Sequence, residues 1–228
     1  MSATPQQAVR DDFDRIAGLE PPRWDHNVHY HAHLLRLLPA SCDAILDVGC
    51  GAGAFTRLLA PRARTVTGVD FSPEMIRRAR AGAAVLPNVM FVKADVLQLD
   101  WPEGSLDAIV TIAALHHVPL REALERMRRW LRPGGRLVAL DVLARDRAID
   151  LVWRVPAKAA SLVHSLARNG RLVPDRATRL AWEQHARLDQ LPSLADVRST
   201  VADVLPGANV RQHLLWRWSL EWTRPRSD

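Results

Sequence analysis

The chain has 228 residues, 48% of them hydrophobic, and a formal net charge of +6, which suits one α/β domain with a sizeable core and an added subdomain. It holds no apolar run of about eighteen residues and no apolar stretch within residues 1–7, so neither a membrane-spanning helix nor a signal peptide is expected. Cys42 and Cys50 form no disulfide or metal pattern, which points to a cytoplasmic protein; the basic residues, arginine except for Lys93 and Lys158, are interleaved with acidic ones and provide no nucleic-acid-binding arm.

Residues 5–17 place Val9, Phe13 and Ile16 on one helical face, and Pro21 and Pro22 end that helix. A second helix is predicted over 24–38, stopped by Pro39, with His26, His29, Tyr30 and His33 on one face. No Cys, Asp or Glu at ligand spacing completes a metal site on that helix. Residues 44–53, Ala-Ile-Leu-Asp-Val-Gly-Cys-Gly-Ala-Gly, then read as an apolar strand and a tight glycine turn. Glycine removes the Cβ, so a ligand can approach the backbone. The turn delivers that ligand to the N-terminus of a helix over 54–60.

From there the alternation is strict. Strands are expected at 65–69, 89–92, 106–112 and 136–142, with 132–135 as a turn. Helices are expected at 73–84, capped by Ser72 with Pro73 and Glu74 in the first turn, and at 119–131. Such a pattern predicts a mostly parallel sheet covered on both faces. Asp47, Asp70, Asp95 and the segment after Ile112 fall on its C-terminal edge, where ligands of open α/β sheets bind.

After Val142 two helices are predicted, over 146–168 and 176–190, carrying Trp153, Val155, Val163, Leu166, Leu180 and Trp182. An insertion of about fifty residues at this edge reads as a lid. Ser193 caps a last helix to Val204, and residues 208–213 and 216–223 alternate as two closing strands. Even spacing puts Trp216, Trp218 and Trp222 on one strand face. The expected organisation is helices covering the site at 1–40, a cofactor-binding core at 41–143, a helical lid at 144–191, and the last helix with the closing strands at 192–228.

Gly49-x-Gly51-x-x-Ala54, with Asp70 about twenty residues on, also fits a loose dinucleotide fingerprint. Asp47 speaks against a pyrophosphate, which its charge would repel. It suits an amino group or a sulfonium. Asp70 can take both ribose hydroxyls, and Asp95 can accept from an exocyclic adenine amine. Three carboxylates on one edge describe an adenosine with a positive tail.

The motifs that carry this reading resemble those of class I S-adenosylmethionine-dependent methyltransferases. Ile45-Leu-Asp-Val-Gly-Cys-Gly-Ala-Gly is similar to the family's first motif and Val66-Thr-Gly-Val-Asp70-Phe-Ser-Pro-Glu-Met to its acidic ribose motif. Phe91-Val-Lys-Ala-Asp95-Val resembles the adenine motif. Leu106-Asp-Ala-Ile-Val-Thr-Ile-Ala-Ala-Leu-His-His and Leu131-Arg-Pro-Gly-Gly-Arg-Leu resemble the fourth- and fifth-strand motifs. The resemblance implies a Rossmann-like, seven-stranded, mostly parallel sheet with an antiparallel last strand. It implies S-adenosyl-L-methionine as cofactor, with Asp47, Gly49, Gly51 and Gly53 at the methionine moiety. Asp70 would hold the ribose, Phe71 would pack on adenine, and Asp95 and Val96 would flank the ring. Cys50 and Ile112 complete the implied cofactor set.

Methyl transfer is an in-line displacement that depends mainly on alignment, and an oxygen or nitrogen nucleophile also needs a base. His117, then His116, follow strand four near the expected methyl and are the first catalytic candidates, with Tyr30 on a flanking segment as a weaker one. His26, His29, His164 and His185 rank lower. Residues 112–115 read Ile-Ala-Ala-Leu where a nucleic-acid or amide N-methylating enzyme would carry Asn/Asp-Pro-Pro-Tyr/Phe. No carboxylate for a catechol-type metal stands there, so no metal is expected. Trp153 and Trp182 suggest a small, apolar or aromatic methyl acceptor, with no nucleic-acid or membrane partner and the oligomeric state open. The competing functions are a non-catalytic binder of the cofactor or its product, and an NAD(P)-dependent reductase.

Overall fold

The computed structural model describes residues 5–20, 22–144, 150–189 and 191–226, leaving out the side chains of residues 5, 6 and 150–156. The sequence's apolar runs become β1 (Cys42–Val48), β2 (Ala63–Asp70), β3 (Val89–Lys93), β4 (Leu106–Ile112), β5 (Leu131–Val142), β6 (Asn209–His213) and β7 (Arg217–Thr223). Among the described residues they form one sheet in the order β3-β2-β1-β4-β5-β7-β6. Only β7 runs antiparallel to its neighbours. This is the mostly parallel sheet expected from the alternation, with the antiparallel last strand that the family resemblance implies.

Helices α1 (Pro5–Ile16), α2 (His31–Leu37), α3 (Ala54–Leu59), α4 (Pro73–Gly82), α5 (Leu120–Trp130), α6 (Asp150–Asn169), α7 (Arg176–His185) and α8 (Leu194–Val204) complete the chain. Neighbouring strand residues point to opposite faces, so the sheet divides the core in two. Leu46, Ile109, Leu137 and Leu220 pack with α5 and α8, and Ile45, Val66, Val110 and Leu140 pack with α2 and α3. Local chemistry starts the helices where it should. Ser72 accepts from the Met75 amide at 3.1 Å to cap α4, and Ser193 accepts from the Asp196 amide at 3.1 Å to cap α8. No described helix is long and apolar enough to cross a membrane.

Three expectations are corrected. The helix predicted from residue 24 starts later, as a 3-10 turn at Val28–Tyr30 leading into α2. The Asp25 carboxylate accepts the amides of Asn27 and Val28, both at 2.8 Å, and this side-chain turn competes with helix. The segment 132–135 lies inside β5: Leu106 pairs with Leu131, and the next pair is Ala108 with Arg136, so the surplus residues bulge out of the ladder. Trp216 leaves the face of Trp218 and Trp222, because Leu215 and Trp216 take positive φ of 63° and 55° in the turn before β7. Trp218 and Trp222 pack with α5 and α8, and Trp216 lies against the opposite side of the sheet.

Candidate active site

A cavity of about 790 Å³ opens at the C-terminal ends of β1, β2, β4 and β5, covered by α1 and α7. Its floor is the glycine turn. The Gly49 and Cys50 amides both donate to the Val69 carbonyl, at 2.8 and 3.0 Å. Gly49 sits at φ +70°, and a Cβ there would come within 2.3 Å of the Ala114 Cβ, so the loop after β4 can close only on a glycine. At Gly51, a cavity-lining residue, a Cβ would meet nothing within 4 Å. That bare stretch of backbone leaves room for a ligand to lie against it.

The carboxylates stand along this floor. Asp47, one residue before the end of β1, is buried and accepts from the Thr56 hydroxyl at 2.6 Å. Burial pushes its carboxyl up to about 7, against the pull of that hydroxyl, and the charge of Asp70 adds to the rise. No cationic side chain pairs with it among the described residues. Asp70 accepts from the Gly51 amide (2.9 Å) and the Ser72 amide (2.9 Å), which tie the turn to the tip of β2. Burial raises its carboxyl also, and those amides hold it back. Asp95 accepts from the Leu97 amide at 2.9 Å and lines the cavity beside Phe71, Ala94 and Val96. A cationic adenosine fits this set: an unpaired carboxylate for the charge, a fixed carboxylate for hydroxyls, and apolar walls for a ring.

The opposite wall carries imidazoles. His116 and His117 lie in a 3-10 turn, Leu115–His117, after β4. His116 Nδ1 is 2.5 Å from Asp141 Oδ1, and the His116 amide donates to Asp141 Oδ2 at 3.1 Å. Burial alone would lower its pKa, but the charge and hydrogen bond of Asp141 hold it above the ordinary value. His117 is pushed down to about 3 by burial and by the neighbouring His116 and His185. From α7, His185 Nδ1 lies 2.8 Å from Asp12 of α1. Phe13 packs edge-on to His117, His185 and Phe71 at ring separations of 5.3, 4.6 and 5.9 Å.

Asp47, Gly49, Cys50, Gly51, Asp70, Phe71, Asp95, Val96, Ile112, His116, His117 and His185 all line the one cavity. Gly53 lies behind it, where a Cβ would meet the Phe91 ring at 2.6 Å, so its role is packing. Tyr30 is not brought to the cavity. It is buried at the start of α2, and its hydroxyl donates to the Leu214 carbonyl at 2.6 Å. His26 lies 3.0 Å from the Ser161 hydroxyl, and His29 and His164 pack on one another outside the cavity. Trp182 lines the cavity, whereas the side chains of Trp153 and Val155 lie outside the described residues. Sequence reasoning missed Asp141, Asp189 and Arg217. Asp141 had a signal, an acidic residue inside the apolar run of β5. Arg217, half-buried and donating to the Asn27 side chain at 3.0 Å, follows a turn whose course the alternation did not reveal.

Comparison with known proteins agrees with this geometry. The family described as "Methyltransferase domain" matches residues 45–135. An uncharacterized methyltransferase of Mycobacterium tuberculosis is 32% identical over 205 residues, covering 89% of this chain and 98% of that protein. The 27-O-demethylrifamycin SV methyltransferase of Amycolatopsis mediterranei is 35% identical over 147 residues, 62% of this chain and 48% of that protein. The structure of the N-methyltransferase NodS from Bradyrhizobium japonicum with S-adenosyl-L-homocysteine superposes with a TM-score of 0.66 at 22% identity, covering 96% of this chain and 99% of that one.

Proposed function

The chain belongs to the class I S-adenosylmethionine-dependent methyltransferases, and from that premise we propose that it methylates a small, largely apolar or aromatic metabolite. The observation that carries the reading is Asp47, a buried carboxylate on the cavity wall whose partners among the described residues include no cation. Burial raises the energy of its charged form, and a cationic ligand relieves that cost. A pyrophosphate would add to it.

When bound, S-adenosylmethionine supplies a methyl on a cationic sulfur, which departs as a neutral thioether. Asp47 and the backbone of Gly49, Cys50 and Gly51 would hold the methionine end. Asp70 would accept from the ribose hydroxyls, held in place by the Gly51 and Ser72 amides. Asp95, Val96 and Phe71 would frame the adenine. The acceptor then occupies the remaining cavity between Phe13, Val142 and Trp182, beside the half-buried Arg217. Apolar walls with few polar groups suit a small molecule. Positioning of this kind contributes about 7–11 kcal/mol in favourable cases.

In this reading α1 and the inserted helices α6 and α7 cover the pocket, as segments 1–40 and 144–191 over a core made of 41–143 and 192–228. The acceptor diffuses in from the cytoplasm, and no nucleic acid takes part. The test is to incubate the protein with methyl-labelled S-adenosylmethionine and a metabolite mixture. Label should appear in a discrete small product. Tight cofactor binding with no transfer to any fraction would make the protein a binder and not an enzyme.

A further inference from the structure

The imidazole wall brings together four donor side chains from distant segments of the chain. We propose that His116, His117, His185 and Asp189 bind one divalent transition-metal ion, zinc being the best match, and that this ion clasps α7 to the turn after β4. One donor atom from each of the four lies within 4.8 Å of all the others. Asp189 Oδ1 stands 3.4 Å from His185 Nε2, 3.8 Å from His116 Nε2 and 3.9 Å from His117 Nδ1. Three imidazoles thus surround one carboxylate oxygen, yet that oxygen is buried without a hydrogen bond among the described residues. A buried carboxylate that merely paired with an imidazolium would draw one ring to about 2.7–2.9 Å. Donors that share an ion stand further apart: four atoms at the Zn–N and Zn–O distances of a tetrahedral site are about 3.3–3.4 Å from one another. The donors here stand up to 4.8 Å apart, so the side chains close in by up to about an ångström to complete the shell.

The outer contacts have the same logic. Asp141 takes Nδ1 of His116 and Asp12 takes Nδ1 of His185, which leaves Nε2 of each ring toward Asp189. A carboxylate behind a ligating histidine fixes its tautomer and makes it a better donor. Three imidazoles and one carboxylate, with no thiolate, suit zinc, and magnesium and calcium would demand more oxygen. Four protein donors fill a tetrahedral shell, so the ion is structural and holds the wall of the pocket in place. Residues 116–117 and 185–189 come from distant segments, and for that reason no local spacing displayed the set. The expectation of no metal rested on local spacing alone.

The test uses the full chain freed of metal by a chelator, then titrated with zinc chloride against a chromophoric competitor, with thermal unfolding followed in parallel. The wild type should take up one zinc per chain and melt higher with it, and cobalt should give the visible absorption of a tetrahedral site. His185→Ala and Asp189→Asn should each abolish stoichiometric uptake. Asp12→Asn should weaken it on the order of ten- to a hundredfold, since it removes only an outer contact. Circular dichroism checks folding, and the near-isosteric Asp189→Asn keeps the test open if His185→Ala does not fold. No zinc uptake by the wild type overturns the proposal. So does uptake that survives both Asp189→Asn and Asp12→Asn unchanged.

Discussion

Asp47→Asn should make the ligand-free protein more stable while weakening its hold on the cofactor. The folded carboxyl sits at about 7 against an ordinary value of 3.8. At 1.36 kcal/mol per pH unit, ionising it in place costs roughly 4 kcal/mol. The raised value belongs to the folded state, so the penalty is absent below about pH 4. It grows as pH rises toward 7 and is constant above. Asparagine removes the charge and keeps an oxygen for the Thr56 hydroxyl, which donates to Asp47 at 2.6 Å. Its buried amide hydrogens need partners and give back about 1–3 kcal/mol. The net gain near pH 8 is therefore about 1–3 kcal/mol, visible as roughly 2–4 °C in Tm per kcal/mol for a chain of this size. Thermal unfolding of both proteins without ligand, near pH 8 and near pH 5, checks this. The gap should shrink or reverse at the lower pH, where the wild-type carboxyl is protonated. A variant less stable near pH 8, or a gap independent of pH, would refute the account of Asp47.

Asp70→Ala should weaken S-adenosylmethionine binding by about 1–3 kcal/mol, the scale of hydrogen bonds to a charged group. It also frees the amides of Gly51 and Ser72. Unchanged affinity by calorimetry would mean that the ribose is held elsewhere. Trp218→Ala should cost about 3–5 kcal/mol in denaturant unfolding, as for a large buried aromatic residue. Trp218 is 1% exposed and its indole N–H donates to the Val142 carbonyl at 3.3 Å. A loss below about 1 kcal/mol would show that the β5–β7 seam is packed by other residues.

The cofactor half of the site was legible because its signals are local. A carboxylate at a strand tip followed by alternating glycines states both the turn and the charge, and Asp70 and Asp95 repeat the pattern one strand further each time. Parallel strands turn that sequence order into one spatial edge. The other half depends on tertiary contacts. His116 and His117 were visible as a pair, but their character depends on Asp141 from β5, His185 from α7 and Asp189 beyond it, which no window of sequence places together. The burial of Tyr30 against Leu214 was not legible, because helical spacing says which residues share a face, and not what that face meets. Trp216 departed from its strand because two positive φ angles before β7 override an even spacing.

Calorimetric titration of the purified chain with S-adenosylmethionine, and in parallel with NAD⁺ and NADP⁺, tests the central claim most directly. Saturable S-adenosylmethionine binding, weakened in both Asp47→Asn and Asp70→Ala and with no heat from either dinucleotide, is the predicted result. Tight dinucleotide binding with none of S-adenosylmethionine would contradict it.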